Sequence, residues 1–264
     1  MADDSTTPAT ESVKPPLLGD LVFEPSDTRP LGGLNYYSPT YEASGESLAH
    51  ILVTVGGLTQ GSKLLDIGCG TGRIINAVNK IIDIKNYSGL EINSRYYHMC
   101  KERFPNHKFI HQDIRHDEYN PTGTVDPYDY EYPLKDRSFD VISVFGVYNH
   151  NRTKSIMQSL RSCSRLLKPK GRLVATILLL NQHSMTQINN GKTNKPFILT
   201  HKSDDGWSQS EDRPLLNIAT SETAVRRTCI QSRMMIQEPI RYGHWISHTH
   251  ALSTHDVIVI VKQG

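Results

Sequence analysis

Leu64-Leu65-Asp66-Ile67-Gly68-Cys69-Gly70-Thr71-Gly72-Arg73 decides the fold of this chain. A short apolar run opens it, three glycines at alternate positions follow, and Ile74, Ile75, Val78 and Ile82 then recur at helical spacing. Apolar strand, glycine turn and amphipathic helix make one βα unit. The small residues let a ligand approach the backbone closely, and the helix beginning near Thr71 aims its free N–H groups at that point. A dinucleotide fingerprint, G-x-G-x-x-G, needs its third glycine where Arg73 stands. A carboxylate just before the glycines, Asp66, would repel a pyrophosphate and attract a cation. The turn therefore argues against NAD and for a ligand bearing a sulfonium or ammonium.

The same alternation extends outward. Upstream, Leu48, Ile51, Leu52 and Val55 mark one face of a helix closed by Gly56-Gly57. Downstream, apolar strands at 87–92, 108–112, 139–145 and 172–178 alternate with helical patterns. Tyr97, Cys100 and Phe104 mark one helix, stopped by Pro105; Ile156, Leu160, Cys163 and Leu167 mark the next, stopped by Pro169-Lys170-Gly171. Strands separated by helices form a parallel sheet covered on both faces, so its strands read as unbroken apolar runs, such as 257–261. The stretch 115–138 reads as a loop, and 181–219 as a polar, irregular cap insertion. A helix from about 221, a strand at 235–242 and a last strand at 257–261 close the chain. The expectation is a doubly wound α/β domain over 31–264, preceded by a flexible tail, 1–30, rich in Ser, Thr, Asp and Pro.

A chain of 264 residues with 29 Lys+Arg and 27 Asp+Glu carries a net charge of only +2. That excludes a protein whose main business is a strongly basic embrace of nucleic acid. Its four cysteines form no C-x-x-C pair, so a disulfide framework or zinc ribbon is not expected. They read as buried thiols of a reducing compartment. The start, Met-Ala-Asp-Asp-Ser-Thr-Thr-Pro, does not read as a signal peptide, and the longest apolar runs are too short for a bilayer. These features point to a cytoplasmic protein with no membrane or nucleic-acid partner, and they leave its oligomeric state open.

Open α/β sheets bind ligands beyond the carboxyl ends of their strands. Glu91 ends the second strand, 19 residues past Gly72, where an acid can accept both hydroxyl hydrogens of a ribose. Asp113-Ile114 follows the third strand, where a carboxylate can accept from an adenine amino group beside an apolar side chain. Three acids at successive strand ends describe a nucleoside with a positive charge and no phosphate.

Residues 65–72, Glu91, Asp113, Ser138-Phe139-Asp140-Val141-Ile142 and Leu166-Leu167-Lys168-Pro169-Lys170-Gly171-Arg172 together resemble the class I S-adenosylmethionine-dependent methyltransferases over about 60–264. Gly32-Gly33, Leu179-Leu180-Asn181 and Glu238-Pro239-Ile240-Arg241-Tyr242-Gly243-His244-Trp245 also resemble a bacterial subgroup with a C-terminal Gly-x-Trp motif. In that subgroup the last strand usually opens with Gln-Asp, where this chain has His255-Asp256. The resemblance implies a Rossmann-like sheet of seven strands, the last antiparallel, and S-adenosylmethionine as cofactor. It implies Asp66, Gly68, Gly70, Glu91 and Asp113 as cofactor contacts; with their neighbours at the strand ends, Cys69, Ile92, Ile114 and Phe145 complete the expected set.

The acceptor does not carry over from the resemblance. After the fourth strand, 146–151 should face the reactive methyl, and His150 is its titratable base, or else a helix cap or packed imidazole. Tyr148 offers a cation–π face or simple packing. Tyr37, His183 and Trp245 are further candidates for the acceptor pocket; packing competes with stacking for Trp245. His244, His248, His250 and His255 cluster late in the chain; apart from Asp256 they lack the companions a metal site needs, and they read as a solvated or substrate-lining edge. The leading reading is methyl transfer to a hydroxyl of a small-molecule or glycosylated acceptor, in natural-product or sugar modification. Methylation of nitrogen or carbon on RNA or protein, and a non-catalytic S-adenosylmethionine-binding module, are the alternatives.

Overall fold

The computed structural model describes residues 39–194, 197–203, 206–246 and 251–264. The expected tail, Gly32-Gly33, Tyr37, His248 and His250 lie outside the described residues. From α1 (Pro39–Thr54) the chain passes through β1 (Lys63–Ile67), α2 (Arg73–Ile81), β2 (Asn86–Glu91), α3 (Ser94–Arg103) and β3 (Lys108–His111). A long connection then leads to β4 (Phe139–Val144), α4 (Thr153–Leu166) and β5 (Leu167–Ile177). The insertion holds β6 (Leu179–Leu180), α5 (Gln182–Asn189), β7 (His201–Ser203), β8 (Gly206–Ser208) and β9 (Ile218–Ser221). Helix α6 (Glu222–Gln231), β10 (Met234–Ile236) and β11 (Asp256–Lys262) complete the described chain.

The main sheet has seven strands in the order β10-β11-β5-β4-β1-β2-β3. Strand β1 pairs in parallel with β2 on one side and β4 on the other, while β11 runs antiparallel to both β5 and β10. The strand order reverses between β1 and β4, which opens the ligand crevice above their carboxyl ends. Period-two alternation splits the core. Leu64, Val141, Val174, Val257 and Val259 face α1 and α2, whereas Leu65, Ile142, Leu173, Ile258 and Ile260 face α4 and α6. Because both faces are covered, the four residues Val257, Ile258, Val259 and Ile260 are all fully buried.

Three elements differ from the sequence reading. Strand β5 begins at Leu167 and carries Pro169-Lys170-Gly171 within it. A register shift against β4 between Phe139 and Val141, and a positive φ of 64° at Lys170, let the strand bend around these residues. The strand expected over 235–242 stops at Ile236, since Pro239 has no N–H to continue a ladder. The insertion, which reads as irregular, contains α5 and three strands that join β6 in a second sheet, β6-β9-β8-β7. Strands of two to four residues are too short to display alternation.

Asp256 fastens this insertion to the core. Its carboxylate accepts the Leu179 N–H at 2.8 Å, the Gly243 N–H at 2.7 Å and the Trp245 ring N–H at 2.9 Å. Burial pushes its pKa up to about 7 against the pull of those donors. Among the described residues no helix is long and apolar enough to cross a membrane.

Candidate active site

The glycine turn is shaped by its neighbours. Gly68, Gly70 and Gly72 all have positive φ, at 69°, 56° and 84°. A Cβ on Gly68 would lie 2.4 Å from Val147 Cγ2, and one on Gly72 would lie 2.4 Å from Phe104 Cε2, whereas Gly70 faces open space. The turn is therefore gripped at both ends and has free space beside Gly70 in the middle. Glu91 buttresses it: one carboxylate oxygen accepts the Gly70 N–H at 2.7 Å and the other the Asn93 N–H at 2.8 Å. Burial raises the Glu91 pKa, with those N–H groups opposing the rise. Asp66, at 1% exposure, accepts hydrogen bonds from the Ser143 hydroxyl at 2.7 Å and the Tyr87 hydroxyl at 2.9 Å. Desolvation pushes its pKa up to about 6.

These groups line one cavity of about 780 Å³. It brings together ten of the expected residues: Asp66, Gly68, Cys69, Gly70, Glu91, Ile92, Ile114, Phe145, Tyr148 and His150. Three others stand apart from it, and Tyr37 lies outside the described residues. Asp113 is not on the cavity wall; alternation along the chain gives that wall to Gln112 and Ile114 instead. Its carboxylate is turned to its own loop, accepting from Asn120 Nδ2 at 3.0 Å and from the Thr124 N–H and hydroxyl at 3.0 and 2.7 Å. Those hydrogen bonds hold its pKa below the usual range. His183 is exposed on α5. Trp245 is a core residue, 1% exposed, with its ring N–H committed to Asp256, so it offers no stacking face.

His150 sits in a short 3-10 turn, Tyr148–His150, directly after β4. Asn149 Nδ2 donates to its Nε2 at 3.0 Å, which leaves Nδ1 to carry the proton and donate to the Leu215 carbonyl at 3.1 Å. Burial pushes its pKa down to about 4, so the ring is neutral with both nitrogens engaged. Tyr148 is buried, its hydroxyl 3.1 Å from that of Ser159. His116 reaches the His150 carbonyl at 2.6 Å, and the Tyr119 ring meets the imidazole edge-on at 5.3 Å.

Several cavity residues were not foreseen from sequence. From α1, the Tyr41 hydroxyl bonds Thr71 Oγ1 at 2.7 Å, and Ser44 receives Arg73 at 3.2 Å. Arg73, which reads as a surface residue of a helix start, lies on the cavity wall with its guanidinium 5.7 Å from the Tyr41 ring centre. From the insertion, Arg213 makes a two-pronged ion pair with Glu118, at 2.9 and 2.6 Å, and Asn217 Oδ1 accepts from Asn149 at 3.0 Å. His255 closes the same wall. Its sequence signals were its place in the late histidine cluster, with a solvated or substrate-lining edge as the reading, and histidine where the resembled subgroup has Gln. Among the described residues no three His, Cys, Asp or Glu side chains are grouped to hold a metal.

Residues 65–175 match a family described as "Methyltransferase domain". The demethylmenaquinone methyltransferase of Thermotoga maritima is 31% identical over 118 residues, 44% of each chain. A highly reducing polyketide synthase of Pyrenophora dematioidea is 26% identical over 119 residues, 42% of this chain and 4% of its own length. The chain thus spans less than half the length of the curated relatives it matches. Among solved structures, magnesium protoporphyrin IX methyltransferase from Synechocystis PCC 6803, with bound S-adenosylhomocysteine, superposes with a TM-score of 0.53 at 12% identity, covering 88% of this chain and 91% of that one. A Pyrococcus horikoshii OT3 protein superposes at 0.58 and 13% identity, covering 87% and 94%. The seven-stranded sheet with its antiparallel last strand is the fold they share with this chain.

Proposed function

We propose that this chain, whose residues 65–175 form a methyltransferase domain, is a class I S-adenosylmethionine-dependent enzyme that methylates a hydroxyl of a small-molecule or glycosylated acceptor. The observation that carries the reading is one cavity lined by a buried acid at the end of β1, an open glycine turn and a buttressed acid at the end of β2. The residues fit the cofactor. The open face at Gly70 leaves room for an adenosine to approach the backbone. Glu91 has lone pairs beyond those taken by Gly70 and Asn93, and these suit ribose hydroxyls. Arg73 supplies a cation for a carboxylate, and ionised Asp66 balances a sulfonium.

When bound, S-adenosylmethionine supplies a methyl group already activated on sulfur. The protein's task is then to align the acceptor and exclude water, and such positioning can contribute up to about 7–11 kcal/mol. The polar wall around Asn149 and His150 lies in the same cavity and suits the acceptor side. His150, expected as the base, has its Nε2 lone pair occupied by Asn149; the reading assigns it to holding that amide in place. A macromolecular acceptor is less suited, because Arg165 and Lys168, two cations of the α4–β5 face, are tied to Asp136 and Asp140. Four free, buried cysteines support a reducing, cytoplasmic setting. Gly243 and Trp245 of the Gly-x-Trp motif both bind Asp256, which gives the inferred kinship with the bacterial subgroup a structural purpose. Titration calorimetry with S-adenosylmethionine tests the reading: binding by the wild type, at least tenfold weakened in Glu91→Ala, is expected, and no binding would overturn it.

A further inference from the structure

Two residues of the cavity wall each carry a buried polar atom with no hydrogen-bond partner among the described residues: Asn149 Oδ1 and His255 Nε2. Buried polar groups without a hydrogen bond are rare in folded proteins, and two on one cavity wall need an explanation. Asn149 cannot relieve its orphan by turning over. It is 2% exposed, and its Nδ2 donates both to His150 Nε2 and to Asn217 Oδ1, each at 3.0 Å. A flip would set an oxygen against two acceptors. His255 is also held: Nδ1 lies 3.1 Å from Thr254 Oγ1, and the ring meets Phe197 edge-on at 4.8 Å. The two residues come from opposite ends of the chain's second half, and His150 lies close enough to both to bond Asn149 and to influence the His255 imidazole.

We propose that Asn149 Oδ1 and His255 Nε2 form the acceptor-recognition pair of this cavity, and that they take an uncharged, largely apolar molecule presenting hydroxyl groups. The proposal rests on the reading that the Asp66–Glu91 side of the cavity holds S-adenosylmethionine. Hydroxyls follow from the two orphans. Asn149 Oδ1 can only accept, so its partner must carry a donor hydrogen. A hydroxyl also suits His255 in either tautomer, because it donates and accepts. Neutrality follows from the surrounding wall. His150 and His255 are deprotonated by burial, and Glu118 and Arg213 cancel each other in their ion pair. Arg73, Asp66 and Glu91, the other charged groups of the wall, are assigned to the cofactor, so a carboxylate or ammonium placed there would lack a counter-charge of its own. The apolar body is called for by Phe197, Leu215 and the ring of Tyr148 on the same cavity. When bound, S-adenosylmethionine would supply the methyl group: the hydroxyl oxygen would bond the methyl carbon as the carbon–sulfur bond broke, leaving a neutral thioether, and the hydroxyl proton would go to solvent.

Calorimetry with the full chain saturated in S-adenosylhomocysteine tests this with three matched probes: 2-naphthol, naphthalene and 2-naphthoate. The wild type should bind 2-naphthol at least about tenfold tighter than either of the others. Asn149→Leu and His255→Phe should each weaken 2-naphthol about tenfold and bind naphthalene no worse than the wild type does, while His255→Gln, which keeps an acceptor, should retain most of the 2-naphthol affinity. S-adenosylhomocysteine affinity should stay within about twofold throughout, which shows that the variants are folded. If the wild type ranks the probes equally, or both apolar variants bind 2-naphthol as the wild type does, the pair is overturned while the cofactor reading stands. Failure of S-adenosylhomocysteine to bind the wild type overturns the cofactor reading and the pair with it.

Discussion

Lowering the pH should weaken S-adenosylmethionine more than S-adenosylhomocysteine, and Asp66 sets the size of the difference. Burial lifts the Asp66 pKa to about 6, while hydrogen bonds from Ser143 and Tyr87 oppose the rise. A sulfonium prefers the ionised carboxylate, so only that fraction of the protein is competent for full binding. With a pKa near 6 the ionised fraction is about 0.9 at pH 7 and about 0.09 at pH 5. The apparent affinity for S-adenosylmethionine should therefore fall roughly tenfold across this window, about 1.4 kcal/mol. S-adenosylhomocysteine has the same adenosine, amine and carboxylate but a neutral sulfur. Changes at Glu91 or Arg73 act on both ligands, so the ratio of the two affinities isolates Asp66. Calorimetry at pH 5, 6 and 7, repeated in buffers of different ionisation enthalpy, measures both the ratio and the proton released on binding. Asp66→Asn should make the ratio independent of pH. A ratio in the wild type that does not move between pH 5 and 7 would refute the assignment of Asp66 to the sulfonium. The sign for stability is opposite. The folded pKa is above the unfolded one, so the free protein loses stability as pH rises from about 4 through about 6.

Two further outcomes follow from the packing. Gly72→Ala should destabilise the chain strongly, by about 2 kcal/mol or more in urea unfolding, because its Cβ would lie 2.4 Å from Phe104 Cε2 at a φ of 84°; Gly70→Ala meets no atom and should cost only about 1–2 kcal/mol while abolishing cofactor binding in calorimetry. Ile258→Ala, at a fully buried position of β11, should cost about 2–5 kcal/mol in the same assay without changing the relative affinities of the two cofactor forms.

The first five strands were legible because their signals are local and strong. The glycine turn follows β1 directly, and the apolar runs of strands covered on both faces need no partner to be recognised. Asp66 and Glu91 were legible for the same reason, as acids at strand ends. Asp113 was not, since a single step of alternation decides whether a side chain faces the crevice or its own loop. The imidazole of His150 could be located but not its state, because Leu215 and Asn217, which fix its tautomer and its neighbour's amide, arrive from a distant insertion of strands too short to show a pattern. For Trp245 the sequence left packing and stacking side by side; its ring N–H finds Asp256, and nothing in the local sequence announces that bond.

The cavity wall is contributed by several separate stretches of polypeptide. Asp66, the glycine turn and Glu91 come from the first half of the sheet, whereas Asn217 and His255 are supplied by the insertion and by the threshold of β11. Laboratory evolution could randomise the latter positions and leave the nucleoside cradle untouched, so a library confined to 197–217 and 252–255 is a rational starting point for re-aiming this scaffold at new alcohols.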